Sequence, residues 1–177
     1  MKHELKGTQT EKNLQAAFAG ESQARNKYDY FAKVARNEGF HYIANVFEET
    51  ALNEKQHAKD EFKKLGGLGD TKANLKEAWE GENYEVTKMY PEFAAKAEEE
   101  GFAEIASLFK QISKVEAEHR ARYQHLLELV EQDKVFLRNA PVKWKCLKCG
   151  YVHEGNTPPA KCPTCQHPKE YYAPNDI

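Results

Sequence analysis

Cysteine is absent and proline nearly so from the first 140 residues of this 177-residue chain; all four cysteines and six of the seven prolines fall at or after Pro141. A disulfide framework is thereby excluded from most of the sequence, and a change of architecture is expected near residue 140. Long apolar runs are missing too, so nothing reaches the roughly 20 residues that span a bilayer. Charge of one sign is lacking: 26 basic and 28 acidic residues leave a net −2. That balance supplies no electrostatic footprint for a nucleic acid or an anionic membrane. The start, Met1-Lys2-His3-Glu4-Leu5-Lys6, lacks the apolar core of a secretory signal, and a cytoplasmic protein is expected. In that reducing compartment paired Cys-x-x-Cys motifs point to metal ligation rather than disulfides. No Gly-x-Gly-x-x-Gly fingerprint is present, so no dinucleotide site is expected in this chain.

What is there, before residue 140, is rich in Ala, Glu, Lys, Leu and Phe with helical periodicity. Leu14, Phe18, Glu21, Ala24, Tyr28, Phe31 and Ala35 share one face of a first helix running from Thr8 or Thr10 to about Asn37, where Asn37-Glu38-Gly39 stops it. Ile43, Phe47, Thr50, Glu54, His57, Ala58 and Leu65 mark a second, closed by Gly66-Gly67-Leu68-Gly69-Asp70. A third should run from about Thr71 to Glu99 with a bend at Pro91. The fourth carries Ile105, Phe109, Ile112, Glu116, His119, Tyr123, Leu126 and Val130 in alternating steps of four and three, the seam of a bundle helix. Trp79, Phe18 and Phe109 read as ordinary core.

An internal repeat reinforces these helices. Glu38-Gly39-Phe40 returns as Glu100-Gly101-Phe102, and the same offset of 62 takes Tyr28 to Tyr90, Phe31 to Phe93, Ile43 to Ile105, Phe47 to Phe109, Glu54 to Glu116 and His57 to His119. Upstream the offset is 61, since Gly20-Glu21 matches Gly81-Glu82. The third helix therefore holds one extra residue between Glu82 and Tyr90, and a π-bulge is the usual way to absorb it. The expected fold is mainly α: two similar hairpins forming a four-helix bundle over residues 1–138, then a small loop-rich β module over 139–177.

Glu54-x-x-His57 and Glu116-x-x-His119 each place a carboxylate and an imidazole about one helical turn apart on one face. One such motif in a Glu-rich helix is usually a solvated surface. Here it occurs twice at matched repeat positions, on the apolar face both times, while Glu21 and Glu82 sit among core positions of the other two helices. Carboxylates clustered in a core would repel one another and unfold it unless multivalent cations neutralised them. One Glu from each of two helices plus Glu-x-x-His from each of the other two is the donor set of ferritin-like di-iron bundles. Manganese could use the same ligands, whereas zinc would offer no redox chemistry. Cys146-x-x-Cys149 and Cys162-x-x-Cys165, twelve residues apart, can close one tetrahedral four-sulfur site, for iron or for zinc. His153 and His167 read as surface residues.

Ala19-Gly20-Glu21-Ser22-Gln23-Ala24-Arg25-Asn26-Lys27-Tyr28, the two Glu-x-x-His motifs, Gly81-Glu82-Asn83-Tyr84-Glu85 with Met89-Tyr90-Pro91, and the Cys149-Gly150-Tyr151 and Cys162-Pro163 knuckles with Trp144 resemble the rubrerythrin family over nearly the whole chain. One departure is Gln166, where rubredoxins usually carry Gly, although the tails of this family vary there. The resemblance implies Glu21, Glu54, His57, Glu82, Glu85, Glu116 and His119 as ligands of two iron ions, with Glu54 and Glu116 bridging, and a third iron on the four cysteines. It also implies that one iron moves between His57 and Glu85 with redox state. Tyr28 and Tyr90 would hydrogen-bond the carboxylates, with core packing as the alternative reading of both. The implied activity is reduction of hydrogen peroxide to water, with electrons entering through the cysteine-bound iron from an NAD(P)H-dependent reductase or a rubredoxin. A ferroxidase or a pure electron-transfer protein are the competing readings. A homodimer is expected, and the short connection from Gly66 suggests exchange of helices between its subunits.

Overall fold

The computed structural model describes residues 4–175; residues 1–3, part of the polar start discussed above, lie outside them. Two compact units divide between Gly69 and Asp70. No described helix is long and apolar enough to cross a membrane.

The first unit is a helical hairpin, α1 (Gln9–Asn37) and α2 (His41–Lys64). Thr8 caps α1, its hydroxyl accepting the Glu11 N–H at 3.1 Å, which satisfies one of the orphan donors at a helix start. The chain reverses after α1 because Gly39 adopts a left-handed φ of +86°. This lets the Gly39 N–H reach the Arg36 carbonyl and the Phe40 N–H reach the Ala35 carbonyl, the two bonds of a Schellman turn. The fully buried residues between the two helices are alanines: Ala32 and Ala35 on α1, Ala44, Ala51 and Ala58 on α2. Small side chains let the helix backbones approach and leave the larger apolar residues on another face.

The second unit opens with α3 (Thr71–Tyr84), continues through a π-helical turn (Glu85–Met89) into α4 (Tyr90–Glu99), and returns along α5 (Ala103–Glu131). Asp70 caps α3, its Oδ1 accepting the Ala73 N–H at 2.8 Å. The extra residue of the third helix is absorbed as the sequence offset requires, with the Tyr90 N–H bonding back to the Glu85 carbonyl. Pro91 then lies at the start of α4 rather than inside a regular helix, where its missing N–H costs least. The turn into α5 repeats the first: Gly101 has φ +85°, and its N–H and that of Phe102 bond to the Glu98 and Ala97 carbonyls. Ala94, Ala97 and Ala106 are the buried residues, each 62 positions beyond Ala32, Ala35 and Ala44.

After α5 comes a three-stranded antiparallel sheet in the order β2-β1-β3, from β1 (Val142–Cys146), β2 (Val152–Gly155) and β3 (Tyr172–Pro174). Its core is Trp144, Cys146, Cys162 and Tyr172, with Phe136, Val142, Tyr151 and Cys165 packed around it. So few apolar residues would not hold a fold alone; modules this small usually need a metal or disulfides.

Candidate metal centres

β1 delivers Cys146 to the centre of the small module, and a tight turn brings Cys149 beside it, closed by Gly150 at φ +82° with its N–H on the Cys146 carbonyl at 2.8 Å. Cys162 and Cys165 form the matching knuckle, where the Gln166 N–H meets the Cys162 carbonyl at 2.9 Å. Sγ of Cys146 lies 3.7 Å from Sγ of Cys165, and Sγ of Cys149 lies 3.6 Å from Sγ of Cys162. Thiolates about 2.3 Å from a central ion stand about 3.8 Å apart along the edges of a tetrahedron, so the four sulfurs fit a single metal. Burial opposes ionisation of Cys162, but the Tyr172 hydroxyl and the backbone N–H groups of Cys165 and Thr164 bring its thiol down to about 6. At Cys149 the Tyr151 N–H favours the thiolate, yet burial and the other three sulfurs push the thiol up to about 12. Four sulfurs this close cannot all ionise without a cation.

On the first hairpin Glu21 of α1 meets Glu54 and His57 of α2, with donor atoms within 4.8 Å of one another. His57 Nδ1 lies 2.8 Å from Glu54 Oε2 and 3.7 Å from Glu21 Oε2. The hydrogen bond with Glu54, then burial and the like charges nearby, raise the Glu21 pKa; the same bond from Glu21 lowers that of Glu54. The Glu54 contact also raises the pKa of His57. Glu61, one turn beyond His57, adds its negative field to Glu21 and has a buried Oε2 with no hydrogen-bond partner.

The second unit builds the same constellation. Glu82 of α3 meets Glu116 and His119 of α5, again within 4.8 Å, with His119 Nδ1 2.6 Å from Glu116 Oε2 and 3.8 Å from Glu82 Oε1. Arg120 Nη1 donates to Asn83 Oδ1 at 3.1 Å, tying α3 to α5 beside both ligand rows. Burial, and then the charge of Glu116, raises the pKa of Glu82 and of Glu85. Glu85, first residue of the π turn, is outside the close trio but near enough to feel Glu116 and His119. Burial and the fields of Glu85, Glu116 and Glu82 raise the Tyr90 pKa.

In each trio the imidazole bonded to a carboxylate stands where metal–ligand bonds would form. Two carboxylates and one imidazole per trio are a hard, anionic donor set suited to a redox-active divalent ion. The structure thus gathers the residues expected from sequence as two trios and a four-sulfur cluster, with Glu85 adjacent to the second trio. Neither Tyr28 nor Tyr90 hydrogen-bonds a carboxylate among the described residues; Tyr28 instead stacks against Phe31 and Phe47. The sequence reading missed Glu61, whose repeat counterpart is Tyr123. It also placed His167 at the surface, whereas the ring is half-buried, its Nδ1 3.0 Å from the Cys165 carbonyl and its plane edge-on to Tyr171.

Residues 12–127 match the family Rubrerythrin, and residues 144–173 match Rubrerythrin, rubredoxin-like domain. The chain is 50% identical to a rubrerythrin of Porphyromonas gingivalis, covering 98% of this chain and 94% of that protein. It is 46% identical to one from Nitratidesulfovibrio vulgaris, covering 95% of each. Among solved structures, partially reduced nigerythrin is 32% identical over 94% of this chain and 86% of that one, with a TM-score of 0.37.

Proposed function

The chain belongs to the rubrerythrin family, and from that premise we propose that it is a non-haem di-iron peroxidase that reduces hydrogen peroxide to water. The observation that carries the reading is the pairing, in one sequence, of two Glu-plus-Glu-x-x-His trios with a four-cysteine cluster. A mineralising ferroxidase has no need of the cysteine module.

Glu21, Glu54, His57, Glu82, Glu85, Glu116 and His119 would hold two irons, and Cys146, Cys149, Cys162 and Cys165 a third. When bound, the paired irons supply the two electrons that, with two protons, convert peroxide to two waters, and the cysteine-bound iron accepts replacement electrons singly. The remaining work belongs to the chain. Glu54 and Glu116 lie against Nδ1 of His57 and of His119, so each Glu-x-x-His pair already converges on the point where a shared ion would bind. The Arg120–Asn83 bond holds α3 against α5, so Glu82 and Glu116 keep a common height. Tyr90, its pKa raised by burial and three carboxylates, keeps its hydroxyl proton at neutral pH beside those acids. We place the domain boundary between residues 138 and 139 and the protein in the cytoplasm as a homodimer. Its electrons would come from an NAD(P)H-dependent reductase or a rubredoxin, since the chain carries no dinucleotide fingerprint.

Stopped-flow mixing of the fully reduced protein with peroxide, and separately with oxygen, tests this. Oxidation by peroxide should be much faster than by oxygen, with about three irons per chain by metal analysis and a ferric–thiolate absorption that bleaches on reduction. Rapid reaction with oxygen and sluggish reaction with peroxide would refute it.

A further inference from the structure

Tyr172 places a hydroxyl group inside the cysteine module. It stands on β3 directly opposite Cys146 of β1, and residues facing each other across an antiparallel pair point to the same side of the sheet. Register therefore aims the ring at the sulfur cluster rather than at solvent. Tyr172 is 4% exposed, and the Trp144, Cys146 and Cys162 it packs with are 0% exposed. The strand is held on both sides of this residue: the Leu147 N–H donates to the Tyr171 carbonyl at 2.8 Å, and the Asn175 N–H to the Lys143 carbonyl at 2.7 Å. Backbone pairing thus fixes where the ring enters the core.

A phenylalanine would fill such a core without any polar atom. Tyrosine adds a hydroxyl, and burying one without a partner is unfavourable. The Tyr172 oxygen is sealed from water and completes no hydrogen bond among the described residues, although it stands close enough to Cys162 Sγ to favour that thiolate. A neutral thiol is a weak acceptor. A metal-bound sulfur is a thiolate, and a charged acceptor makes a hydrogen bond roughly twice as strong as a neutral one. The orphaned hydroxyl therefore suits a cluster that holds its metal. The sulfurs are not equivalent in this respect. At Cys149 and Cys165 the donors are backbone N–H groups, of Tyr151 and of His167. Cys162 has the N–H groups of Cys165 and Thr164 and, in addition, this hydroxyl.

We propose that Tyr172 sets the potential of the cysteine module: its hydroxyl donates to the Cys162 sulfur and raises the reduction potential of the iron bound there. The inference rests on the four-cysteine iron site of the reading above. Four thiolates and a ferric ion leave one net negative charge, and the electron taken from the external donor makes it two. A hydrogen bond to sulfur favours the more negative form. No bond breaks and the hydroxyl proton stays on the Tyr172 oxygen; the reductase or rubredoxin is oxidised by the one electron that turns ferric ion ferrous. Such a bond strengthens the module's pull on electrons from its donor and lessens their drive onward to the bundle irons. A single oxygen atom on β3 thereby sets the balance between the two transfers.

Spectroelectrochemical titration of the full-length, iron-loaded protein tests this, with the ferric–thiolate absorption read against applied potential. Tyr172→Phe keeps the ring and removes only the oxygen, and its midpoint should fall below that of the unmodified protein. Tyr171→Phe removes a hydroxyl from the neighbouring ring, which is 43% exposed and edge-on to His167, and should leave the midpoint where it was. Incorporating 3-fluorotyrosine at position 172 makes the hydroxyl a stronger donor and should move the midpoint upward. A ring that merely filled space would not give opposite shifts for loss and for strengthening of the donor. An unchanged or raised midpoint in Tyr172→Phe, a fall or no change with 3-fluorotyrosine, or an equal fall in Tyr171→Phe overturns the proposal. Should Tyr172→Phe fail to retain iron, the fluorotyrosine arm decides alone. Unmodified protein that takes up iron without any ferric–thiolate absorption would instead defeat the four-cysteine iron site.

Discussion

Gln166 shows how a single residue departs from what its position asks for. Its φ of +59° lies in the left-handed region, where the matching knuckle has Gly150. The side chain is partly compensated, since its Nε2 donates to the Pro163 carbonyl at 3.2 Å. A left-handed non-glycine residue costs roughly 1–2 kcal/mol, and glycine returns part of the gain through its greater unfolded-state freedom. Gln166→Gly should therefore stabilise the cysteine module by about 0.5–1 kcal/mol. A higher midpoint for thermal bleaching of the ferric–thiolate absorption would record it; an unchanged or lower midpoint would mean that the Pro163 contact outweighs the strain. Legibility in sequence also varies residue by residue. Glu54, His57, Glu116 and His119 announce themselves because an i, i+3 pair on an apolar face recurs at a fixed offset. Glu85 and Glu61 do not, because neither has an acidic counterpart in the other repeat. Each is placed near the ligands by its helix: Glu85 at the start of the π turn, Glu61 one turn past His57 on α2.

Among the elements, the helices are where sequence and structure agree most closely, for reasons local to the chain. The Glu-Gly-Phe stops work because only glycine takes a φ near +85° without strain, and the same two capping bonds form at Gly39 and at Gly101. Nothing crowds a Cβ at either position, so substitution there is resisted by the backbone alone. Gly39→Ala and Gly101→Ala should each lower stability by about 1–2 kcal/mol, and by equal amounts, in denaturant unfolding of the metal-free protein. Clearly unequal losses would show that the two turns are not energetically equivalent. The third helix was legible as one extra residue, but not as three segments. Periodicity reports the face a residue shares with its neighbours, whereas the location of a π turn depends on which carbonyl the Tyr90 N–H selects.

For the whole molecule, hydrophobic patterning states that a face is apolar and is silent about what covers it. The mainly helical fold with a small strand module was legible from patterning and cysteine spacing, whereas the division into compact units between Gly69 and Asp70 was not. Metal is the other global determinant. Each trio holds like-charged carboxylates close together, and in Glu21, Glu82 and Glu85 the surroundings disfavour the ionised form. Divalent cations that bind the folded form alone should stabilise it by mass action, by about 2.7 kcal/mol at a hundredfold excess over Kd. Thermal melts of metal-depleted protein titrated anaerobically with ferrous ion should thus show a rising Tm, and a flat response would argue against a built site in the helical units.

The 62-residue repeat has a genealogical consequence. A chain of half this length, one hairpin with its Glu, its Glu-x-x-His and its alanine seam, already contains every type of ligand the bundle needs. Two such ancestors meeting face to face would have made a symmetrical centre before any covalent link joined them. Fusion of two such halves would leave the 62-residue offset, and the one extra residue beside Glu85 is where the halves part in sequence and in backbone.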